Sequence, residues 1–466
     1  MISIVTHALE PRRPRRLRRT RNPNLIVPFA IFVTIVVSGF LTGAGAAQEP
    51  LALRVSLTEA QDRAIAASHR LAEARARAAT AEAVVAVREA ADRPIVGLGA
   101  GYTRTNHVME FSFPGPTGLP RVLYPDAPNN YRTRLDLQWP IYNGGRSDAL
   151  ERAARAEASA ASADVAAAQA DLRLEVARAF WALVTARAAA AVLDRSLARA
   201  QANVNDVRQR LSAGLVPPNE VASAEAQESR QRMLLIETRN QGDQSSAELA
   251  RLIGEDVLQR IEPSADLELE APAAASLQGL VGDARSTRDE RRAIERRIEA
   301  AEQQIAAAEG SRRPAIAIAG GFDYARPNPH IFPRADRWDN SWDAGVSATW
   351  ALWDGGRAQA EAAQARTVAD AARQRLAEFD SVVALEIRQR LLDNDSGRAA
   401  VAAADDAVRA ATEARRVVGE RYQAGVAIQT DLLDADVALL QAELDRTRAI
   451  ASVRFAEARL ARALGR

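Results

Sequence analysis

Three aspartates, Asp431, Asp434 and Asp436, follow a glycine break in the stretch RYQAGVAIQTDLLDADVAL. A second break, in RLSAGLVPPNEVASAEAQ, is followed by Glu220. Carboxylates so placed can act as acids or bases, ligate a metal, hold cations by charge, or steady the start of a helix. The rest of the inventory removes the first two uses. The chain has no cysteine, and its four histidines, His7, His69, His107 and His330, are scattered. That rules out a thiolate nucleophile or thiolate metal site and leaves little for an imidazole base. The remaining Asp and Glu read as solvated helix faces, so neither an enzyme nor a cofactor is expected. Only two methionines, Met109 and Met233, lie beyond the leader, which argues against copper or silver as cargo.

The N-terminus explains the apparent basicity. PRRPRRLRRTRNPN carries seven arginines and precedes LIVPFAIFVTIVVSGFLT and the small-residue site Ala44-Gly45-Ala46. This order predicts a signal peptide over 1–46, with the mature chain starting near Ala47 or Gln48; a retained membrane helix is the other use of such a stretch. Residues 1–46 hold seven arginines and one glutamate, a net of +6, so removing them takes the chain from +1 to −5. A nucleic-acid partner loses its support. All 61 basic residues are arginines, because the sequence contains no lysine.

The elements that carry the acids are repeated. Gly144 and Gly355, Gly214 and Gly425, and Gly254 and Gly465 are each 211 residues apart. Upstream, Ser56 and Ser276, and Pro94 and Pro314, are 220 apart, so nine residues are gained in the first copy between Pro94 and Gly144. The divisions are a first repeat over 47–254, a linker over 255–275 and a second repeat over 276–466. In each repeat a helix over residues such as 57–92 gives way to period-two alternation. Tyr131, Thr133, Leu135, Leu137, Trp139 and Ile141 share one face, with Arg132, Arg134, Asp136 and Gln138 on the other. The pattern recurs as Trp342, Ala344, Val346, Ala348, Trp350 and Leu352. Aromatics at the ends, Trp139, Tyr142, Trp342, Trp350 and Trp353, suit the interfaces of a membrane-spanning strand. From Arg146 to Arg210 there is neither proline nor glycine, giving a helix of roughly 98 Å, and Arg357 to Gln423 is likewise free of proline. Leu172, Val176, Phe180 and Leu183 step as in a coiled coil, and Gly214 and Gly425 supply left-handed caps at the tips of two helical hairpins.

SLTEAQDRAIAASHRL, YNGGR, WDGGR, AGLVPPNEV and AGVAIQTDLLDA, in this order and duplicated, resemble the TolC-like outer-membrane efflux family over nearly the whole mature chain. The resemblance implies a mainly helical fold with a small β part. Four strands per chain would join in a homotrimer as a 12-stranded transmembrane β-barrel, continued by a periplasmic α-barrel with the linker near its equator. It implies an outer-membrane exit duct for efflux or type I secretion, working with a periplasmic adaptor (membrane fusion protein) and an inner-membrane transporter. Gly214, Leu215, Val216, Gly425, Val426 and Ala427 would be the docking tips; as bare residues they are equally plain turns. Asp431 and Asp434 would ring the periplasmic mouth, with Tyr422 bonded to Glu220 as part of the lock. Ala427 stands where the family has an arginine. Physics agrees on one point: four strands cannot close alone in contact with lipid, so neighbouring chains must satisfy the edges.

Acids in a first turn also favour the helix dipole by about 0.3–1 kcal/mol. Glu220 matches Asp431 and Ser223 matches Asp434, so the second acid, found in one repeat alone, is what a gate would add. A periplasmic coiled-coil adaptor or scaffold is the alternative class, and it has no use for strands with one apolar face.

Overall fold

The computed structural model describes residues 52–116, 118–269 and 276–466, and the leader expected over 1–46 lies outside them. In chain order the elements are β1 (Leu53–Val55), α1 (Leu57–Ala67), α2 (His69–Ala90), β2 (Ile95–Arg104), β3 (Phe111–Pro114), β4 (Pro120–Tyr124), β5 (Asn129–Asn143), α3 (Arg146–Ser212), α4 (Pro218–Leu252), β6 (Ile261–Pro263), α5 (Leu277–Thr287), α6 (Asp289–Gly310), β7 (Ala315–Arg326), β8 (Asp339–Thr349), α7 (Arg357–Gln423) and α8 (Gln429–Ala463). The long helices α3 and α7 have 67 residues each, about 100 Å, and the returning helices α4 and α8 have 35 each. Alanine at the contacts lets these helices pack closely: α3 lies along α4, α6, α2 and α8, and α7 along α8 and α6. The main apolar cluster, around Leu172, Val176, Phe180 and Leu183 of α3, also takes in Val55, Leu249 and Ile261.

The single helix expected over 57–92 is two. Ser68 is extended and its hydroxyl accepts from the Leu71 N–H, which ends α1 and starts α2. A serine cap is a strong start signal, and here it outweighs the alanine-rich run on either side. At the matching position, 220 residues on, Arg288 has the same extended backbone without a side-chain cap. Its guanidinium instead bonds Glu386 of α7 at 2.7 Å. The linker also contains structure: β6 pairs in parallel with β1, Leu53 to Ile261 and Val55 to Pro263. Three-residue strands are too short to show a period in sequence.

The strands β2, β5, β7 and β8 form one antiparallel sheet in that order, leaving an unpaired edge on β2 and another on β8. Register puts Leu98, Leu135, Phe322 and Trp342 in one row and Val96, Leu137, Gly320 and Ala344 in the next. One apolar face therefore runs unbroken across all four strands. Arg134, Asp323 and Ser341, and Asp136, Gly321 and Asp343, make rows on the opposite face. A bulge between Pro140 and Tyr142 leaves Ile141 unpaired, so Tyr142, not Ile141, continues the face of Trp139. The strand expected to run on to Trp350 and Leu352 stops at Thr349, because its partner β7 begins at Ala315, opposite Thr349.

Repeat-equivalent residues are not paired level with one another. Trp342 matches Tyr131 in sequence but pairs through Phe322 with Leu135, four residues further along, and Val346 pairs through Ile318 with Trp139, although Trp350 is its match. Below the sheet, Trp139 Nε1 donates to the Asp92 carbonyl at 3.1 Å and Trp350 Nε1 to the Arg312 carbonyl at 3.0 Å, so both repeats tie strand to helix in the same way. The double glycines turn the chain from strand to helix with positive φ at Gly144, Gly145, Gly355 and Gly356. At Gly144 the need is also steric, because an added Cβ would lie 2.2 Å from the Gly310 carbonyl oxygen. Asp354 caps α7, accepting from the Gly356 and Ala358 N–H groups at 3.0 and 2.8 Å, and the bond from Ala358 chiefly holds its carboxyl below the ordinary range.

Candidate functional site: the hairpin tips

Both long helices end in the same way. Gly214, with φ 73°, donates to the Leu211 carbonyl and Leu215 donates to the Arg210 carbonyl; Gly425, with φ 71°, donates to Tyr422 and Val426 to Arg421. These are paired Schellman caps, the form in which a left-handed glycine satisfies the last carbonyls. The turns then leave apolar side chains in the open: Leu215 is 75% exposed, Val426 67% and Ile428 65%, with Val216 and Ala427 half-buried beside them. No Cβ added at Gly214 or Gly425 would touch anything, so their conformation, not their size, is what the tips require.

The three aspartates after the second tip have three different jobs. Asp431 is the third residue of α8, and its carboxylate accepts from the Ile428 N–H at 3.4 Å, a long but helix-starting contact. Glu220 occupies the same position in α4, where Pro217 has no N–H to offer it. Asp436 is buried and pairs with Arg415 of α7 at 3.0 Å and Arg199 of α3 at 4.0 Å, pinning α8 to both long helices. Its repeat equivalent, Glu225, likewise holds Arg208, at 2.6 Å. Asp434 is exposed, has no ion pair or hydrogen bond among the described residues, and is matched in the first repeat by Ser223. Helix structure accounts for two of the aspartates and leaves Asp434 free to act on something outside the chain.

The bond expected between Tyr422 and Glu220 is not made. Tyr422 is buried with its hydroxyl unpartnered, and its ring lies under the Arg210 guanidinium, 4.5 Å from the centroid. Burial pushes the hydroxyl above its ordinary range, against the opposing pull of Arg210. Across the turn, at the start of α8, Gln429 is 3% exposed with both amide atoms unpaired. Neither Arg210 nor Gln429 stood out in the sequence, because an arginine beside an aromatic becomes visible only when α3 and α7 are brought together. An unpaired buried hydroxyl costs roughly 1–3 kcal/mol. Tyr422→Phe is therefore expected to keep or raise the thermal midpoint and to leave resting conductance unchanged, as read by calorimetry and planar bilayers. A leakier channel would restore the expected tyrosine lock.

A four-stranded sheet with one apolar face, joined to two long helical hairpins whose tips carry acids, defines a subunit of the TolC-like channel-tunnel fold. The sequence model described as outer membrane efflux protein matches residues 60–255 and 280–466, and the chain belongs to that family of outer-membrane proteins. Protein CyaE of Bordetella pertussis is 26% identical over 312 residues, 65% of this chain and 61% of its own length. The match thus spans less than two thirds of that relative. A membrane protein from Pseudomonas aeruginosa superposes with a TM-score of 0.75 at 22% identity, covering 89% of this chain and 91% of the other. The Campylobacter jejuni CmeC outer membrane channel gives 0.73 at 17% identity, covering 95% and 94%. At such identities the likeness fixes the fold.

Proposed function

We propose that the chain is one third of a passive exit duct, a homotrimer whose 12-stranded barrel crosses the outer membrane and whose helices form a tunnel into the periplasm. The observation that carries this is the sheet: an unbroken apolar face, two open edges, and a four-residue stagger between repeats. Open edges in lipid are prohibitively costly, and β8 of one copy pairing with β2 of the next removes them. The stagger is the shear that a tilted, closed barrel demands. The eight steps from Tyr131 to Trp139, at about 3.4 Å each and tilted by about 40°, give an apolar band of roughly 20 Å, close to the usual height. Tyr102, Tyr131, Tyr324 and Trp338 cluster at one rim, and Trp139, Tyr142, Trp350 and Trp353 mark the other.

The exposed apolar tips around Leu215 and Val426 are then the contact for a periplasmic adaptor, which links the duct to an inner-membrane transporter. A periplasmic scaffold would leave the apolar sheet face without a purpose. In native mass spectrometry from detergent the mature protein is expected at three times the chain mass, and in planar bilayers it is expected to conduct. A stable folded monomer, or a trimer that never conducts, would remove the proposal.

A further inference from the structure

The loop 327–338, between β7 and β8, lies at the end of the sheet away from the helices. It does not continue outward from the strands. On β7, exposure alternates in the sense opposite to that of a wet inner face: Phe322 and Tyr324 on the apolar side are 46% and 48% exposed, while Asp323 and Ala325 on the polar side are 0% and 1% exposed. The loop itself covers that polar face. Asn328, buried, donates to the Asp339 carbonyl and to the Ser341 hydroxyl, each at 3.0 Å. His330 stands 3.6 Å from Asp323. At the rim, Arg326, in register with Tyr131 of the apolar face, holds Asp336 at the far end of the loop with two bonds at 2.9 and 3.0 Å. From the other repeat, the β3–β4 hairpin, where the extra nine residues fall, braces the loop: Arg334 donates to the Tyr124 hydroxyl at 2.7 Å and its backbone N–H to the Leu123 carbonyl.

Asp323 is itself held within the wall. Arg132 reaches it at 2.5 and 3.1 Å, and Arg134 bonds it while also holding Asp343 at 2.8 Å. Asp323, His330 and Asp343 could between them offer metal ligands, but the arginines already occupy both oxygens of Asp323, so the cluster reads as an ion network. A cleft of about 380 Å³, lined by Gly101, Thr103, Arg132, Arg134, Pro329 and Arg334, separates part of the loop from the wall. Two of the contacts that hold the loop, Arg326 to Asp336 and Arg334 to Tyr124, are exposed, and exposed polar pairs are individually weak.

We propose that the 327–338 loop is a lid folded over the inside of the barrel at its outer mouth, latched to the wall through Asp323, so that the duct has a second barrier at the end opposite the aspartates. This rests on the exit-duct reading, which makes the polar face the inside and the loop end the outside. The lid narrows entry from the medium, and its weak latch yields to cargo arriving from the helical end.

The cysteine-free chain allows a direct test. Gly345 sits on the polar face further from the loop end, with open space around its added Cβ. A membrane-impermeant maleimide on a short polyethylene glycol is applied to intact cells carrying Gly345→Cys in three backgrounds: the native loop, Asp323→Ala, and the loop with 329–337 replaced by a short Gly-Ser link. Met109→Cys, on the outer hairpin, reports access from the medium. Labelling of Gly345→Cys at least tenfold faster in the altered backgrounds, at equal trimer yield and equal Met109→Cys labelling, is the expected result. Equal rates in all three would overturn the lid and leave the duct standing. An unlabelled Met109→Cys in cells that hold the trimer would overturn both, because the loop end would not face outward.

Discussion

Leu135→Arg is expected to empty the outer membrane of trimer. Leu135 lies midway along β5 on the apolar face, in register with Leu98 and Phe322, and its side chain is exposed among the described residues. An arginine on the lipid face near the middle of the bilayer costs about 2–4 kcal/mol, and every trimer carries three copies, so the penalty is of order 6–12 kcal/mol per assembly. That is comparable to the whole stability of a typical domain, about 5–15 kcal/mol. Val346→Arg, in the same band on β8, is expected to behave alike. Gln138→Arg, one position from Trp139 but on the polar face, is expected to assemble normally. The measurement is the yield of heat-resistant trimer in outer-membrane fractions. Native yield from Leu135→Arg would mean that this face never meets lipid.

The second large effect separates two aspartates. In the proposed trimer, three copies of Asp434 and three of Asp431 would surround the mouth of the tunnel. Unit charges about 6 Å apart interact by about 0.7 kcal/mol in bulk water and by about 2.8 kcal/mol at an effective dielectric of 20. Removing three carboxylates from a site that holds a trivalent cation therefore costs more than the ~1.4 kcal/mol of one tenfold step. Asp434→Ala is expected to weaken block by a periplasmic trivalent cation at least tenfold in planar bilayers, with thermal stability unchanged, since its side chain has no hydrogen bond or ion pair among the described residues. Asp431→Ala is expected to weaken block less and to lower stability by about 0.3–1 kcal/mol, through the start of α8. Unaltered block in Asp434→Ala would reduce both acids to helix furniture.

Much of this architecture is written in the order of residues. The two hairpins are legible because α3 and α7 lack proline and end at a glycine whose conformation no other residue takes easily. The apolar strand face is legible because alternation over β5 survives from Tyr131 to Trp139. What depends on distant partners is not legible. The break at Arg288 is stabilised by Glu386, almost a hundred positions away. The Tyr422–Arg210 contact joins different repeats, and the inward fold of 327–338 rests on Asn328 meeting Ser341 across the strand pair. The stagger of the sheet is invisible for the same reason, because a repeat offset fixes which residues correspond but not which ones pair. At the tip, the acidic restart of α8 is legible in the sequence, and only the contacts made in the fold separate Asp431 and Asp436, which hold helices, from the exposed Asp434.

The matched hairpins, 67 residues out and 35 back in each repeat, set a valency. A trimer of such chains presents six tips of the same length, each closed by the same cap and each showing an exposed leucine or valine. A partner that recognises the cap and its apolar residue alone has six sites, and binding at several of them at once multiplies a weak single contact through its effective concentration. A partner that also needs the unpaired carboxylate of Asp434 has three, because Ser223 stands at the other tips. The ratio of partner to duct in a saturated complex, six to three or three to three, thus reads out which chemical feature of the tip is being recognised.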